Sequence, residues 1–201
     1  TNPISVGDEV QIEEENESES ENSVIISDIF PRKNYIIRQS PRHKHQQHII
    51  AANVDQSVLV ATLKEPKTSQ GFIDRFLVAC EMYHVPAVIV FNKADLYKKK
   101  ETEKYNLWKP MYEAVGYQVI LMSVNSGLGI DAVKEILKNK ISLLSGHSGV
   151  GKSSFINMIC PEIVLKTQDV SGWSGKGMHT TTFAEMYELP FTGRIIDTPG
   201  M

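Results

Sequence analysis

The chain has 201 residues, with 21 Lys and Arg against 24 Asp and Glu for a formal net charge of −3, and 41% of its residues are hydrophobic. That length holds one α/β domain of about 150 residues plus a small extra module, with enough apolar residues for an ordinary core. No apolar run approaches the roughly 18 residues of a membrane span, and residues 1–22 have neither the basic start nor the apolar stretch of a signal peptide. Cys80 and Cys160 are the only cysteines; they give neither a disulfide framework nor a metal site and fit a reducing, cytoplasmic setting. The chain opens on Thr1 and stops at Met201, one residue past a phosphate-site motif, so it reads as part of a longer protein.

In chain order, Val6-Gly7-Asp8 is a turn signal, and β-like runs follow at 9–12, 23–29 and 34–39, with Pro31 marking a second turn. Residues 11–22 hold six glutamates and read as a solvated loop. Residues 1–50 thus form a small, incomplete β-module. Between Asp28 and Asp55 no residue is acidic, while Arg32, Lys33, Arg38, Arg42 and Lys44 are basic and His43, His45 and His48 lie among them. This block is either the footprint of a polyanion such as RNA or a solvated hairpin with a basic linker. The histidines lack cysteine or carboxylate partners for a metal site.

Residues 51–201 alternate between two kinds of segment. Strand-like apolar runs fall at 57–62, 87–91, 118–122 and 141–145, and helix-like stretches at 68–84, 103–115 and 129–138. The tail returns to strands at 182–188 and 193–197. Continuous apolar strands spaced by helices predict an α/β domain with a parallel sheet covered on both faces.

Gly146-His147-Ser148-Gly149-Val150-Gly151-Lys152-Ser153, with Ser154 after it, matches G-x-x-x-x-G-K-S/T between an apolar strand and a helix start. The glycines let backbone N–H groups turn around phosphates while the helix points its positive end at the same anion. Lys152 is expected to reach the β- and γ-phosphates as a catalytic group, and the Ser153 hydroxyl to ligate Mg²⁺.

Asn92-Lys93-Ala94-Asp95 follows a strand directly. Guanine offers N1–H and its 2-amino group as paired donors, and the Asp95 carboxylate can accept both; adenine would leave that carboxylate unpaired. Asn92 is expected to bond the other base edge, and the Lys93 stem to cover the ring. Ser123-Val124-Asn125 after the next strand is placed to offer a backbone N–H to guanine O6, or is simple loop chemistry.

Asp197-Thr198-Pro199-Gly200 is a D-x-x-G element, with Asp197 expected on Mg²⁺ and the Gly200 N–H near the γ-phosphate. The segment before it carries Gly172, Gly175 and Gly177 and ends in His179-Thr180-Thr181-Thr182, which suits a switch that orders on γ-phosphate and Mg²⁺. Thr181 is the expected Mg²⁺ ligand, with Thr180 and Thr182 as alternatives. Met201 stands where Ras-like enzymes place a water-orienting Gln, so His179 is the candidate for that catalytic role, against a plain packing role.

The motif order is rotated relative to most GTPases, which read from P-loop to D-x-x-G to N-K-x-D. Together with Val6–Asp8, P-R-K-N at 31–34, G-M-H-T-T-T at 177–182 and D-T-P-G at 197–200, the chain resembles the circularly permuted ribosome-assembly GTPases RsgA, also called YjeQ. The resemblance implies a partial OB-fold ahead of the permuted P-loop domain, GTP hydrolysis to GDP with Mg²⁺, and stimulation by the small ribosomal subunit and its rRNA during late maturation. It also implies a cytoplasmic, monomeric protein with no membrane partner. The family's zinc ligands lie beyond D-x-x-G, so zinc is expected only outside these residues, and the first OB strands are missing. The competing readings are a large-subunit assembly GTPase and an RNA-binding module that uses nucleotide only for ordering.

Overall fold

The computed structural model describes residues 4–14, 24–39, 47–163, 165 and 184–198. Among them are ten strands and four helices: β1 (Val10–Glu14), β2 (Val24–Ile29), β3 (Tyr35–Gln39), β4 (Gln47–Ala52), β5 (Gln56–Thr62), α1 (Gln70–Met82), β6 (Ala87–Asn92), α2 (Lys99–Ala114), β7 (Gln118–Leu121), α3 (Ile130–Leu137), β8 (Ile141–Ser145), α4 (Lys152–Ile159), β9 (Glu185–Glu188) and β10 (Arg194–Asp197).

Six of the strands form one sheet in the order β7-β6-β5-β8-β10-β9. All neighbours in it are parallel except β9, which closes the edge as an antiparallel partner of β10. The period-2 geometry of a strand explains the two cores. Val58, Val60, Val88, Val90, Ile120 and Leu144 point to one face, where Val133 and Leu137 of α3 and Phe155 and Ile156 of α4 cover them. Leu59, Ala61, Ile89, Phe91 and Val119 point to the other and pack on Ile73, Phe76 and Leu77 of α1 and Tyr105, Trp108 and Tyr112 of α2. Both faces are dry, so the strands read as unbroken apolar runs.

The helices α1 and α2 leave Leu143 of β8 and Ile196 of β10 to another cover. Ala51 and Val54 pack there, with Val6 and Ile36 beside them, so the N-terminal strands finish the sheet's second face. Residue 50, the expected end of the β-module, therefore lies inside β4, and both Ala51 and Ala52 are fully buried. The sequence reading missed β4 because its short apolar run sits behind Gln47 and His48 and resembles a basic linker. It also ended β1 two residues early: β1 continues through Glu13 and Glu14, opposite Ile25 and Val24. Helix α2 starts four residues before the expected position, because Glu101 reaches back to the Lys98 N–H at 3.0 Å and caps the first turn.

Three short segments knit this cover to the sheet. Arg32 Nε and Nη2 grip the two Asp8 carboxylate oxygens at 2.6 and 2.7 Å, with the Arg32 and Asp8 side chains only 9% and 1% exposed. Asn53 donates to the Gly7 carbonyl and accepts the Lys33 N–H, and the Asn34 amide pairs with both backbone groups of Val54. Asp55 accepts the Ile141 N–H at the start of β8 and pairs with the Lys33 amine at 2.7 Å. A Cβ on Gly7, at φ +94°, would stand 2.0 Å from the Ala52 carbonyl oxygen, so only glycine fits that crossing. No helix among the described residues is long and apolar enough to cross a membrane.

The Arg32 guanidinium holds the Asp8 carboxyl below its ordinary value of 3.8. A depressed folded-state pKa adds stability above the unfolded value and loses it as pH falls through the folded one. Asp8→Asn is expected to lower unfolding free energy by about 2 kcal/mol at neutral pH. The difference from wild type should shrink as pH drops below 3.8, read by thermal melts across pH.

Candidate nucleotide site

The parallel strands deliver three loops to one edge of the sheet, the edge where open α/β sheets bind ligands. The loop after β8 is the glycine-rich one. Gly146, Gly149 and Gly151 adopt φ of +145°, +78° and +97°, and α4 begins at Lys152, so its free N–H groups face the loop's mouth. A Cβ on Gly146 would meet the Val60 carbonyl oxygen at 2.3 Å, and one on Gly151 the Asn92 amide nitrogen at 2.4 Å. Val150 is fully buried in the core beneath, while His147, Ser148, Gly149, Ser153 and Ser154 are half-buried at the surface of the loop. The Lys152 amine lies folded over the loop, donating to the Gly146 carbonyl at 2.7 Å and the His147 carbonyl at 3.1 Å. Burial lowers its pKa, and the nearby Asp197 carboxylate raises it part of the way back. The His147 ring stacks on Phe72 of α1 with centroids 3.8 Å apart.

The loop after β6 turns through Lys93 in the left-handed region at φ 62° and places Asp95 in a single 3-10 turn, Ala94–Leu96. The loop after β7 comes to meet it. Ser123 Oγ donates to one Asp95 oxygen at 2.5 Å and Asn125 Nδ2 to the other at 3.2 Å. These bonds, Ser123 first, hold the Asp95 carboxyl below its ordinary value, so at neutral pH it is an anion that only accepts. An ionised carboxylate has about four lone-pair directions, so two stay open for a pair of N–H donors. Ala94 N–H bonds the Met122 carbonyl, joining the two loops by backbone as well.

Asn92 is 1% exposed and links two other loops. Its Nδ2 donates to the Val150 carbonyl of the glycine-rich loop at 2.8 Å, and its Oδ1 accepts the Val124 N–H at 3.3 Å. Lys93 stretches its amine to the Glu65 carbonyl. The role of Asn125 as a partner of Asp95 was also not legible, because contact between consecutive βα loops is a tertiary fact. Phe72 carried no signal beyond its helix period.

Asp197 ends β10 in register with Leu144, one residue before Ser145 and the glycine-rich loop, and is 1% exposed. Thr198 Oγ1 donates to the Leu144 carbonyl at 3.1 Å and fixes that strand end. A serine hydroxyl at Ser153 and a carboxylate at Asp197 are oxygen donors beside the phosphate cradle, the donor class Mg²⁺ takes, so the residues present fit that ion. His179, Thr180, Thr181, Thr182, Gly200 and Met201 lie outside the described residues. Among the described residues no cluster of three His, Cys, Asp or Glu is placed to hold a metal by itself.

Two side chains of the expected RNA block lie among the described residues. The Arg32 guanidinium pairs with Asp8, and the Lys33 amine, its side chain 56% exposed, pairs with Asp55; both pairs help hold the N-terminal strands on the sheet. The Arg38 side chain, Arg42 and Lys44 lie outside the described residues.

Gly151→Ala strains a left-handed position and drives a Cβ onto the Asn92 amide. It is expected to weaken GDP binding by about 10- to 100-fold, the equivalent of roughly 1–3 kcal/mol, in a fluorescent-nucleotide titration, while β6 and β7 keep their hydrogen-exchange protection.

A family model described as RsgA GTPase matches residues 29–201. Among curated relatives, a protein of Cytophaga hutchinsonii is 53% identical over all 201 residues, which cover 65% of its length. One of Bacteroides fragilis is 48% identical, with 64% of its length covered. Both bear the name small ribosomal subunit biogenesis GTPase RsgA. Among solved structures, YjeQ from Thermotoga maritima matches with a TM-score of 0.75 and 36% identity over 98% of this chain and 61% of its own. YloQ, described as a circularly permuted GTPase, matches with a TM-score of 0.62 and 29% identity over 97% of this chain and 56% of its own. The chain spans just under two thirds of the length of these relatives. Its α/β fold is that of the circularly permuted P-loop GTPases, and the chain belongs to the RsgA GTPase family.

Proposed function

We propose that this chain binds GTP with Mg²⁺, hydrolyses it to GDP and phosphate, and serves late maturation of the small ribosomal subunit, whose rRNA stimulates the turnover. The observation that carries the reading is the ionised Asp95 carboxylate, held by Ser123 and Asn125 with acceptor capacity to spare, on a loop bolted through Asn92 to the phosphate cradle. The names of the curated relatives support the choice of the small subunit over the large one. The protein acts as a cytoplasmic monomer, and residues 1–50 serve as a partial OB-fold-like module that meets RNA through Arg38, Arg42 and Lys44.

In the proposed mechanism guanine lies against the Lys93 stem with its N1–H and 2-amino group on Asp95, and the Val124–Asn125 backbone faces O6. The phosphates enter the cradle from Gly146 to Ser154. Lys152 gives up the carbonyls of Gly146 and His147 for β- and γ-phosphate oxygens, a short swing of an amine already aimed across the loop. Ser153, Asp197 and Thr181 would hold Mg²⁺, which would supply charge neutralisation at those oxygens. Gly200 senses the γ-phosphate through its N–H, and His179 orients the attacking water in place of a glutamine.

Three experiments test this. GTP turnover by the full-length protein should rise by at least an order of magnitude with purified small subunits and stay flat with large ones. Flat turnover with both, at unchanged GDP affinity, would leave a nucleotide-ordered RNA-binding module. Asp95→Asn should move preference from guanine to xanthine nucleotides by roughly 10²-fold or more; retained tight GDP binding sinks the base assignment. His179→Ala should lower kcat about 10²-fold with little change in nucleotide affinity, and unchanged turnover removes it from the mechanism.

A further inference from the structure

The loops after β5 and β6 carry lysines for which the nucleotide reading has no use. Lys64 and Lys67 lie between β5 and α1, and Lys98, Lys99, Lys100 and Lys104 lie between β6 and the second turn of α2. The two strands are parallel neighbours, so both loops leave the same edge side by side. Lys93 donates to the Glu65 carbonyl and Lys64 approaches the Leu96 carbonyl at 3.5 Å, which fixes one loop on the other. Lys104 stands 3.9 Å over the Trp108 ring. Burial depresses its amine pKa most, and the charges of Lys67 and Lys100 depress it further, which places the three cations in one field.

Three carboxylates answer these six lysines. Glu65 lies 3.7 Å from Lys64, Glu103 lies 4.0 Å from Lys99, and Glu101 is engaged by the Lys98 N–H. The patch is therefore positive on a chain whose net charge is −3, and Lys67, Lys98, Lys99 and Lys100 in it are exposed. The arrangement works against the free protein. A helix N-terminus carries the positive end of the macrodipole and favours acids; Glu101 supplies one in the first turn of α2, yet Lys98, Lys99 and Lys100 precede it. Lys100 and Lys104 repel each other at i,i+4. Charges that oppose their own helix become favourable once a polyanion lies across them.

We infer that this lysine face is a contact surface for the phosphodiester backbone of RNA, separate from the N-terminal basic block. The chemistry favours nucleic acid over an acidic protein. Protein interfaces are built around buried aromatic or apolar anchors, and the aromatic rings at this patch are engaged within the fold: Trp108 is 6% exposed beneath Lys104, and the Tyr97 hydroxyl is bonded to Leu63 and Asn92. What the surface offers is spaced point cations on long stems, the form of contact that backbone phosphates take. None of Lys67, Lys99 and Lys100 is among the residues proposed for nucleotide, so the inference stands apart from the turnover reading.

The test is a full-chain variant carrying Lys67→Gln, Lys99→Gln and Lys100→Gln, titrated by fluorescence anisotropy with a mixed-sequence single-stranded RNA oligonucleotide over a range of salt. Three lost phosphate contacts should reduce the slope of log K against log salt by about 2. Affinity at low salt should drop about tenfold or more, with GDP affinity unchanged and the melting temperature equal or higher. The matching Lys→Arg triple variant should keep the wild-type slope. An unchanged slope and affinity in the Gln variant overturns the inference, as does wild-type protein that binds no RNA. Loss of RNA binding only with Arg42→Gln and Lys44→Gln would overturn it too, while leaving the N-terminal block as the RNA contact. Binding of a polyglutamate peptide that the Gln variant loses, with RNA binding intact, would assign the face to an acidic protein instead.

Discussion

The side-chain amide of Asn92 fixes the relation between the two halves of the site. It sits buried at the end of β6, donates to the Val150 carbonyl and accepts the Val124 N–H, and so joins three loops from three strands that lie 58 and 32 residues apart in the chain. Losing either bond would leave a buried polar group unsatisfied, which costs more than the bond itself contributes. The same contact forces glycine at 151, where any side chain would strike the amide. The Asp95 loop and the glycine-rich loop are thereby held at fixed separation, and a ligand that spans a preorganised pair of loops is spared their ordering cost.

The sheet makes this junction possible whatever the order of the chain. β5 stands at the centre with β6 on one side and β8 on the other, all parallel, so the loops they feed emerge on one edge. Circular permutation relocates the chain ends and leaves these neighbours as they were. Its mark on the molecule is that Asp197 arrives last, on β10, next to the strand that launches the cradle. The second face of β8 and β10 is closed by the N-terminal strands through Ala51, Val54 and Ile36, so the β-module also serves as part of the sheet's own cover.

Charge is used in two opposite ways on this chain. In the N-terminal strands it is consumed locally: Asp8 holds Arg32 in a two-point grip away from water, and Asp55 ties Lys33 to the start of β8. The Asp8–Arg32 pair is further fixed by the Ser5 N–H, the condition under which a desolvated ion pair keeps its geometry, while the Lys33 side chain of the second pair stays 56% exposed. Around the loops after β5 and β6 the cations outnumber their partners and stay in solvent, where their mutual repulsion is screened by salt. The first arrangement stabilises the fold; the second stores an electrostatic demand at its surface.

Part of the architecture around the candidate site was legible in the sequence because its constraints are local. A tight loop between a strand and a helix needs glycines at positive φ, so 146–151 read as such a loop, and the strand periods located the α/β sheet. The N-K-x-D run marked Asp95 as a candidate by what a carboxylate can accept. What the sequence left open is what depends on distance across the fold. That Asn92 ties three loops together, that Arg32 pairs with Asp8, and that 47–52 is a strand ending in the buried Ala51 and Ala52 could not be read from residue type. In each case residue type and spacing set what a group can bond, and only the packed sheet decided which partner, tens of residues away, stood within hydrogen-bond reach.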